Sequence, residues 1–216
     1  MAGNIQKVNL NNLKKEGEEF EWLIYDVYSQ TVNIEKALQS VSKTWTGKRI
    51  NTIIALWNSN YKSLNSITVD YLYLKVYSAI RQIQEQYLSM EAGKPLDSKV
   101  TSSVMGVNKI ALTDETTIKY DQAKANAFIK DINNYYQALS ADLKKLSTKL
   151  DPMSTYSDSL KSLTTNFKAY TSSLEKTINS IVSNVQTEAQ KAVSDVNVTE
   201  QYNEADAKRA ATTSTK

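Results

Sequence analysis

A chain of 216 residues with only 5 Gly and 2 Pro permits long uninterrupted elements and disfavours a turn-rich β architecture. Its 26 basic and 23 acidic residues leave a net charge of +3, too balanced to form the concentrated basic face that nucleic acid requires. With no Cys and no His there can be no disulfide, no His/Cys zinc site, no Ser-His-Asp triad and no thiol chemistry. No metal or cofactor is expected. Hydrophobic residues still make up 41% of the chain, enough to build a packed core.

From Leu13, apolar or small residues recur at Leu13, Gly17, Phe20, Ile24, Val27, Thr31, Ile34, Leu38, Val41 and Trp45. The alternating steps of four and three are the seam of a left-handed helix packing, with Gly17 and Thr31 its weak points. Asn11 or Asn12 is a reasonable N-cap for this helix, and Gly47 suits the chain reversal after it. A second seam runs through Ile50, Ile53, Trp57, Leu64, Ile67, Tyr71 and Leu74, then Val76, Ile80, Ile83, Tyr87 and Met90. Its register shifts near Leu72 to Val76, where a local adjustment is expected. Gly93 and Pro95 end the helix. At about 1.5 Å per residue, each helix of this hairpin is roughly 50 to 65 Å long.

Lys94 to Thr113 breaks the pattern and reads as a linker packing a few apolar side chains, with a short β-hairpin around Gly106-Val107-Asn108 as the alternative. Helical periodicity returns at Asp114 through Ile118, Gln122, Ala125, Ile129, Ile132, Tyr136, Leu139, Leu143, Leu146 and Leu150. Asp151-Pro152 suits an N-cap and first helical position. The fourth helix then reads Met153, Tyr156, Leu160, Leu163, Phe167, Tyr170 and Leu174, continuing to Ala192. The expected fold is all-α: two long antiparallel helical hairpins forming an elongated four-helix bundle. Residues 1–95 make the first hairpin, 96–113 a linker, 114–206 the second hairpin, and 207–216 a flexible tail.

Two motifs stand out by position. Trp45-Thr46-Gly47 falls at the bend of the first hairpin, and composition alone would produce a Trp-x-Gly in only about 7% of such chains. Trp at a bend plugs the open end of a hairpin with a large apolar ring. Tyr-x-x-x-(Asp/Glu) puts both side chains on one helical face, one turn apart. About 1.4 matches are expected by chance, so the count carries nothing. The positions carry more: Tyr87 with Glu91 and Tyr202 with Asp206 each close a predicted hairpin. Tyr73 and Tyr77 share another face of the second helix, open either to burial against the other hairpin or to a partner.

On these residues the segment from about Leu13 to Gly93 resembles the WXG family of small helical hairpins exported by type VII secretion systems. The match rests on its length, on Trp45 and Gly47 at the bend, and on Tyr87 and Glu91 at the end of the second helix. The resemblance covers under half the chain directly. It implies pairing as antiparallel four-helix bundles and a C-terminal Tyr-x-x-x-Asp/Glu read by the secretion ATPase, here Tyr202 and Asp206. The second hairpin has no Trp-x-Gly, so the chain reads as a partnered pair fused into one. The helical leaders of LXG toxins are also related in their elongated helices. The expected function is a non-enzymatic type VII secretion substrate or export partner, made in a bacterial cytoplasm. Its partners would be the secretion machinery and another WXG-like protein.

Met1 to Leu10 lacks the apolar core of a cleavable signal peptide, so secretion or surface display would proceed without one. No run reaches the 18 or so apolar residues of a membrane span. Two alternatives from other classes are an all-helical pore-forming toxin subunit and a generic coiled-coil adaptor. The only stretch available as the former's apolar tongue, Val100 to Leu112, is short and weakly apolar. No pair of carboxylates is marked out as acid and base.

Overall fold

The computed structural model describes residues 10–92, 106–116, 118–155 and 157–213. Helix α1 spans Leu10–Val41. After the bend come α2 (Lys48–Asn65), a π-helical segment (Ser66–Tyr77) and α3 (Ser78–Ala92), which together form one continuous helix. Helices α4 (Gln122–Met153) and α5 (Asp158–Thr213) make the second hairpin. The fold is all-α. Among the described residues the only β pairing is an isolated antiparallel bridge between Trp45 and Tyr120.

Side-chain pairings give the order of the bundle. Lys149, near the end of α4, pairs with Glu19, near the start of α1, while Trp45 after α1 bridges Tyr120 before α4. Those two helices are therefore antiparallel neighbours. Ser140 on α4 donates to Glu175 on α5, and Gln186 on α5 donates to Asn133 on α4. Arg49 on α2 meets Asp195 on α5, and further down Tyr71 stacks on Tyr170 at 4.0 Å. Tyr77 and Gln84 close the ring by reaching Glu21 and the Leu13 and Lys14 carbonyls of α1. Each helix packs antiparallel to its neighbours, in the order α1, α4, α5 and the α2–π–α3 helix, so the two hairpins share one core.

The first seam is continuous: each of its positions from Leu13 to Trp45 is buried. Gly17 is no weak point, because Gln84 of α3 crosses there and a Cβ would lie 1.8 Å from its amide nitrogen. The register shift of the second helix is the π-helical segment. Buried residues within it repeat at Ile67, Tyr71/Leu72 and Val76/Tyr77. The last step of five matches an i→i+5 ladder and carries the apolar face past the mismatch. It also turns Leu74, expected in the seam, out to 55% exposure.

Three expectations about helix ends are corrected. Asn11 and Asn12 lie inside α1, which already includes Leu10. Helix α4 starts at Gln122, capped by Asp121 accepting from the Lys124 amide, so Ile118 is 76% exposed in the segment before it. Asp151 and Pro152 belong to the last turn of α4, and Ser157 caps α5 by accepting from the Leu160 amide. The helical backbone of α5 extends into the segment expected as a tail, through 207–213. Gly93 and Pro95 lie outside the described residues. No helix among the described residues is long and apolar enough to cross a membrane.

Candidate recognition site at the helical bend

Each residue of Trp45-Thr46-Gly47 has a distinct task. Trp45 is 1% exposed and meets the Tyr120 ring edge-on at 5.3 Å, closing the end of the core. The Thr46 amide donates to the Lys119 carbonyl, and its Oγ1 accepts from the Lys119 amide, both at 2.9 Å. Gly47 adopts φ 99° and ψ −170°, a region essentially closed to residues with a Cβ. It starts α2 directly from that conformation, with its carbonyl accepting from the Asn51 amide. A Trp-x-Gly here joins a plug to a backbone joint.

The bend is held from outside by residues 106–116 and 118–121. Three asparagines seven residues apart on α2 grip the backbone of this strap. Asn65 accepts from the Val107 amide at 2.6 Å and donates to the Val107 carbonyl at 2.8 Å. Asn58 does the same to Ile110, with both bonds at 2.8 Å. Asn51 accepts from the Thr113 amide at 2.8 Å and donates to its carbonyl at 2.9 Å. The spacing has a simple cause: seven helical residues rise about 10.5 Å, and three extended residues span about 9 to 10 Å. Trp57 adds a bond from its indole nitrogen to the Asn108 carbonyl at 2.8 Å.

Thr113 couples this ladder to the bend. Its hydroxyl donates to Asn51 Oδ1 at 2.9 Å and accepts from the Gly47 amide at 3.0 Å. At the other end, Gly106 has φ 79°, and a Cβ there would sit 2.7 Å from Asn65 Oδ1. Val107 and Ile110 are buried against the bundle. The sequence reading missed these asparagines. Their signal was present in the heptad spacing of Asn51, Asn58 and Asn65, opposite Val107, Ile110 and Thr113 at every third position.

The Tyr-x-x-x-acid pairs lie elsewhere. Tyr87 is half-buried on α3, and the side chain of Glu91 lies outside the described residues. Tyr202 and Asp206 fall on helical backbone of α5, and their side chains also lie outside the described residues. Helix α5 runs 18 residues past Asp195, about 27 Å of helix. Tyr77 is no partner surface: it is buried, and its hydroxyl donates to Glu21 at 3.2 Å. Tyr73 is half-buried and stacks on Tyr77 at 5.4 Å. Among the described residues the most exposed aromatic ring is on α1, where Trp22 is 47% exposed and packs edge-on against Tyr25, itself followed by Tyr28.

Two ionic contacts mark the ends of the bundle. Arg49 donates to Asp195 at 2.9 Å and reaches Glu188 at 3.5 Å, and its hydrogen bond holds the Asp195 carboxyl below the usual range. Lys149 lowers the Glu19 carboxyl in the same way at the opposite end. Among the described residues there is no group of His, Cys, Asp and Glu able to hold a metal ion.

Comparison of the chain with protein-family models, with curated proteins and with solved structures finds no match.

Proposed function

We propose that this chain is a type VII secretion substrate or export partner of the WXG kind, acting through helical recognition rather than catalysis. The observation that carries the reading is the bend. Trp45 is buried as a plug, and Gly47 occupies a backbone region that only glycine enters readily, so the motif sits where it has a physical task. A chance Trp-x-Gly has no reason to fall at that joint. The packing of the second hairpin against the first supports a fused pair, because each supplies the apolar partner that the other needs. In this reading Tyr202 and Asp206 form the export signal on the part of α5 beyond Asp195, and Tyr87 with Glu91 is a structural relic.

The test is secretion. If the pair acts as a signal rather than as packing, the double variant Tyr202→Ala, Asp206→Ala should melt within about 0.5 kcal/mol of the parent. It should also vanish from the medium of a type VII-competent strain while accumulating in the cells. Normal secretion of the folded variant overturns the proposed signal. Secretion that persists when the secretion ATPase is deleted overturns the export route itself.

A further inference from the structure

The strap and the helical core are held by different forces. Between 107 and 112 only Val107 and Ile110 are buried, whereas Asn108, Lys109, Ala111 and Leu112 are exposed, Leu112 to 60%. The rest of the grip is hydrogen bonding between α2 side chains and strap main chain, at Asn65, Asn58, Asn51 and Trp57. Asn51 adds a bond from its amide nitrogen to Glu115 Oε1 at 2.9 Å. Fixing one extended residue costs conformational entropy comparable with what one hydrogen bond returns. No rung therefore holds by itself, and each relies on its neighbours to keep the strap in register. The bundle instead rests on an apolar seam buried from Leu13 to Trp45. Segments with few buried apolar contacts are those that open below the global transition.

The polar contacts continue past the ladder. The Thr113 hydroxyl links Asn51 to the Gly47 amide, and Thr46 holds Lys119 by two bonds. The Asp121 amide donates to the Thr44 carbonyl at 3.2 Å, while its carboxylate caps α4 by accepting from the Lys124 amide at 3.1 Å. One path thus joins Asn65, about 21 Å along α2 from Asn51, to the bend and to the first turn of α4. We propose that residues 106–116 and 118–121, together with the bend, form a latch that opens as one unit while the four-helix core stays packed, uncoupling the first hairpin's bend from the start of α4. The latch is independent of the export reading, since it uses neither Tyr202 nor Asp206.

Native-state hydrogen exchange of the full chain in low denaturant tests the latch. The Ile110, Thr113, Thr46 and Asp121 amides should share one opening, with one denaturant dependence, about ten-fold or more above the frequency of the opening that exposes Val27 of α1 and Leu139 of α4. Asn65→Ala should speed exchange at Ile110 and at Thr46 by the same factor, about ten-fold, the worth of two hydrogen bonds. Thr113→Val removes the hydroxyl that joins ladder to bend, so adding Asn65→Ala to that variant should no longer change exchange at Thr46. Acceleration at Ile110 without any at Thr46 overturns the proposal, because the rungs then move without the bend. Latch amides that exchange only with Val27 and Leu139 also overturn it, because no separate opening exists. Persistence of the Asn65→Ala effect at Thr46 in the Thr113→Val background overturns the path through Thr113. Should Asn65→Ala fail to fold, the parent decides: different denaturant dependences at Ile110 and Thr46 overturn the latch.

Discussion

Trp45 and Gly47 do different kinds of work, and their substitutions should fail differently. Trp45→Ala empties a fully enclosed site and should cost about 3 to 5 kcal/mol in denaturant melts, with a loss below about 1 kcal/mol contradicting the plug. Gly47→Ala removes nothing and meets no severe clash, since its Cβ would stand 3.5 Å from Ile118. Its cost is backbone strain alone, about 1 to 3 kcal/mol. Equal stability of Gly47→Ala and the parent would mean that the joint relaxes. The bend was legible in the sequence because both residues are chemically extreme, one the largest apolar side chain and the other the absence of one. Gly17 was misread for the same reason: periodicity registers a missing side chain as a gap, and only the crossing partner, Gln84, shows the gap to be filled.

At the scale of elements, the asparagine ladder makes a sharp prediction. Asn58→Leu keeps the branched heavy-atom skeleton but leaves the Ile110 amide and carbonyl without their partners, which should cost about 2 to 4 kcal/mol. Hydrogen exchange at the Ile110 amide should be slow in the parent and fast in the variant. Equal protection in both would dissolve the ladder. The contact between the π-helical segment and α5 makes a second prediction, in alkali. Burial, with a smaller contribution from Tyr170, pushes the Tyr71 hydroxyl up to about 12, and that hydroxyl donates to the Leu163 carbonyl at 2.7 Å. An unfolded tyrosine ionises near pH 10, so this contribution is complete below about pH 10 and is lost as pH rises toward 12. The parent should therefore lose more stability over that window than Tyr71→Phe, and parallel alkaline profiles would contradict the assignment. Helices were legible from apolar period, as was the place where the period slips. The strap was not, because its partners are main-chain atoms, which leave no hydrophobic pattern.

At the scale of the whole molecule, the antiparallel ring uses the apolar seams of both hairpins within one chain. The protein should be monomeric at micromolar concentration in light scattering; an obligate dimer would contradict the fused-pair arrangement. That each hairpin carries a seam in need of a partner was legible, but not whether the two hairpins would pack on each other. The order of helices around the ring was not legible either. It depends on particular cross-contacts, such as Lys149 with Glu19 and Arg49 with Asp195, that no periodicity encodes. The missing surface at Tyr77 has the same origin: a tyrosine off one seam can lie on another, and Glu21 supplies the partner that decides it.

The match between Asn51, Asn58, Asn65 and Val107, Ile110, Thr113 also restricts how this region can change length over evolutionary time. A single-residue insertion between Val107 and Thr113 would leave the downstream amides out of step with their asparagines, and an insertion between Asn51 and Asn65 would rotate the asparagines off the strap. Viable insertions here come in a fixed currency of seven residues in α2 matched by three in the strap. The turn between α4 and α5 answers to no such ruler, so related chains should vary freely in length there and change the spacing from Trp45 to Asn65 only in steps of seven.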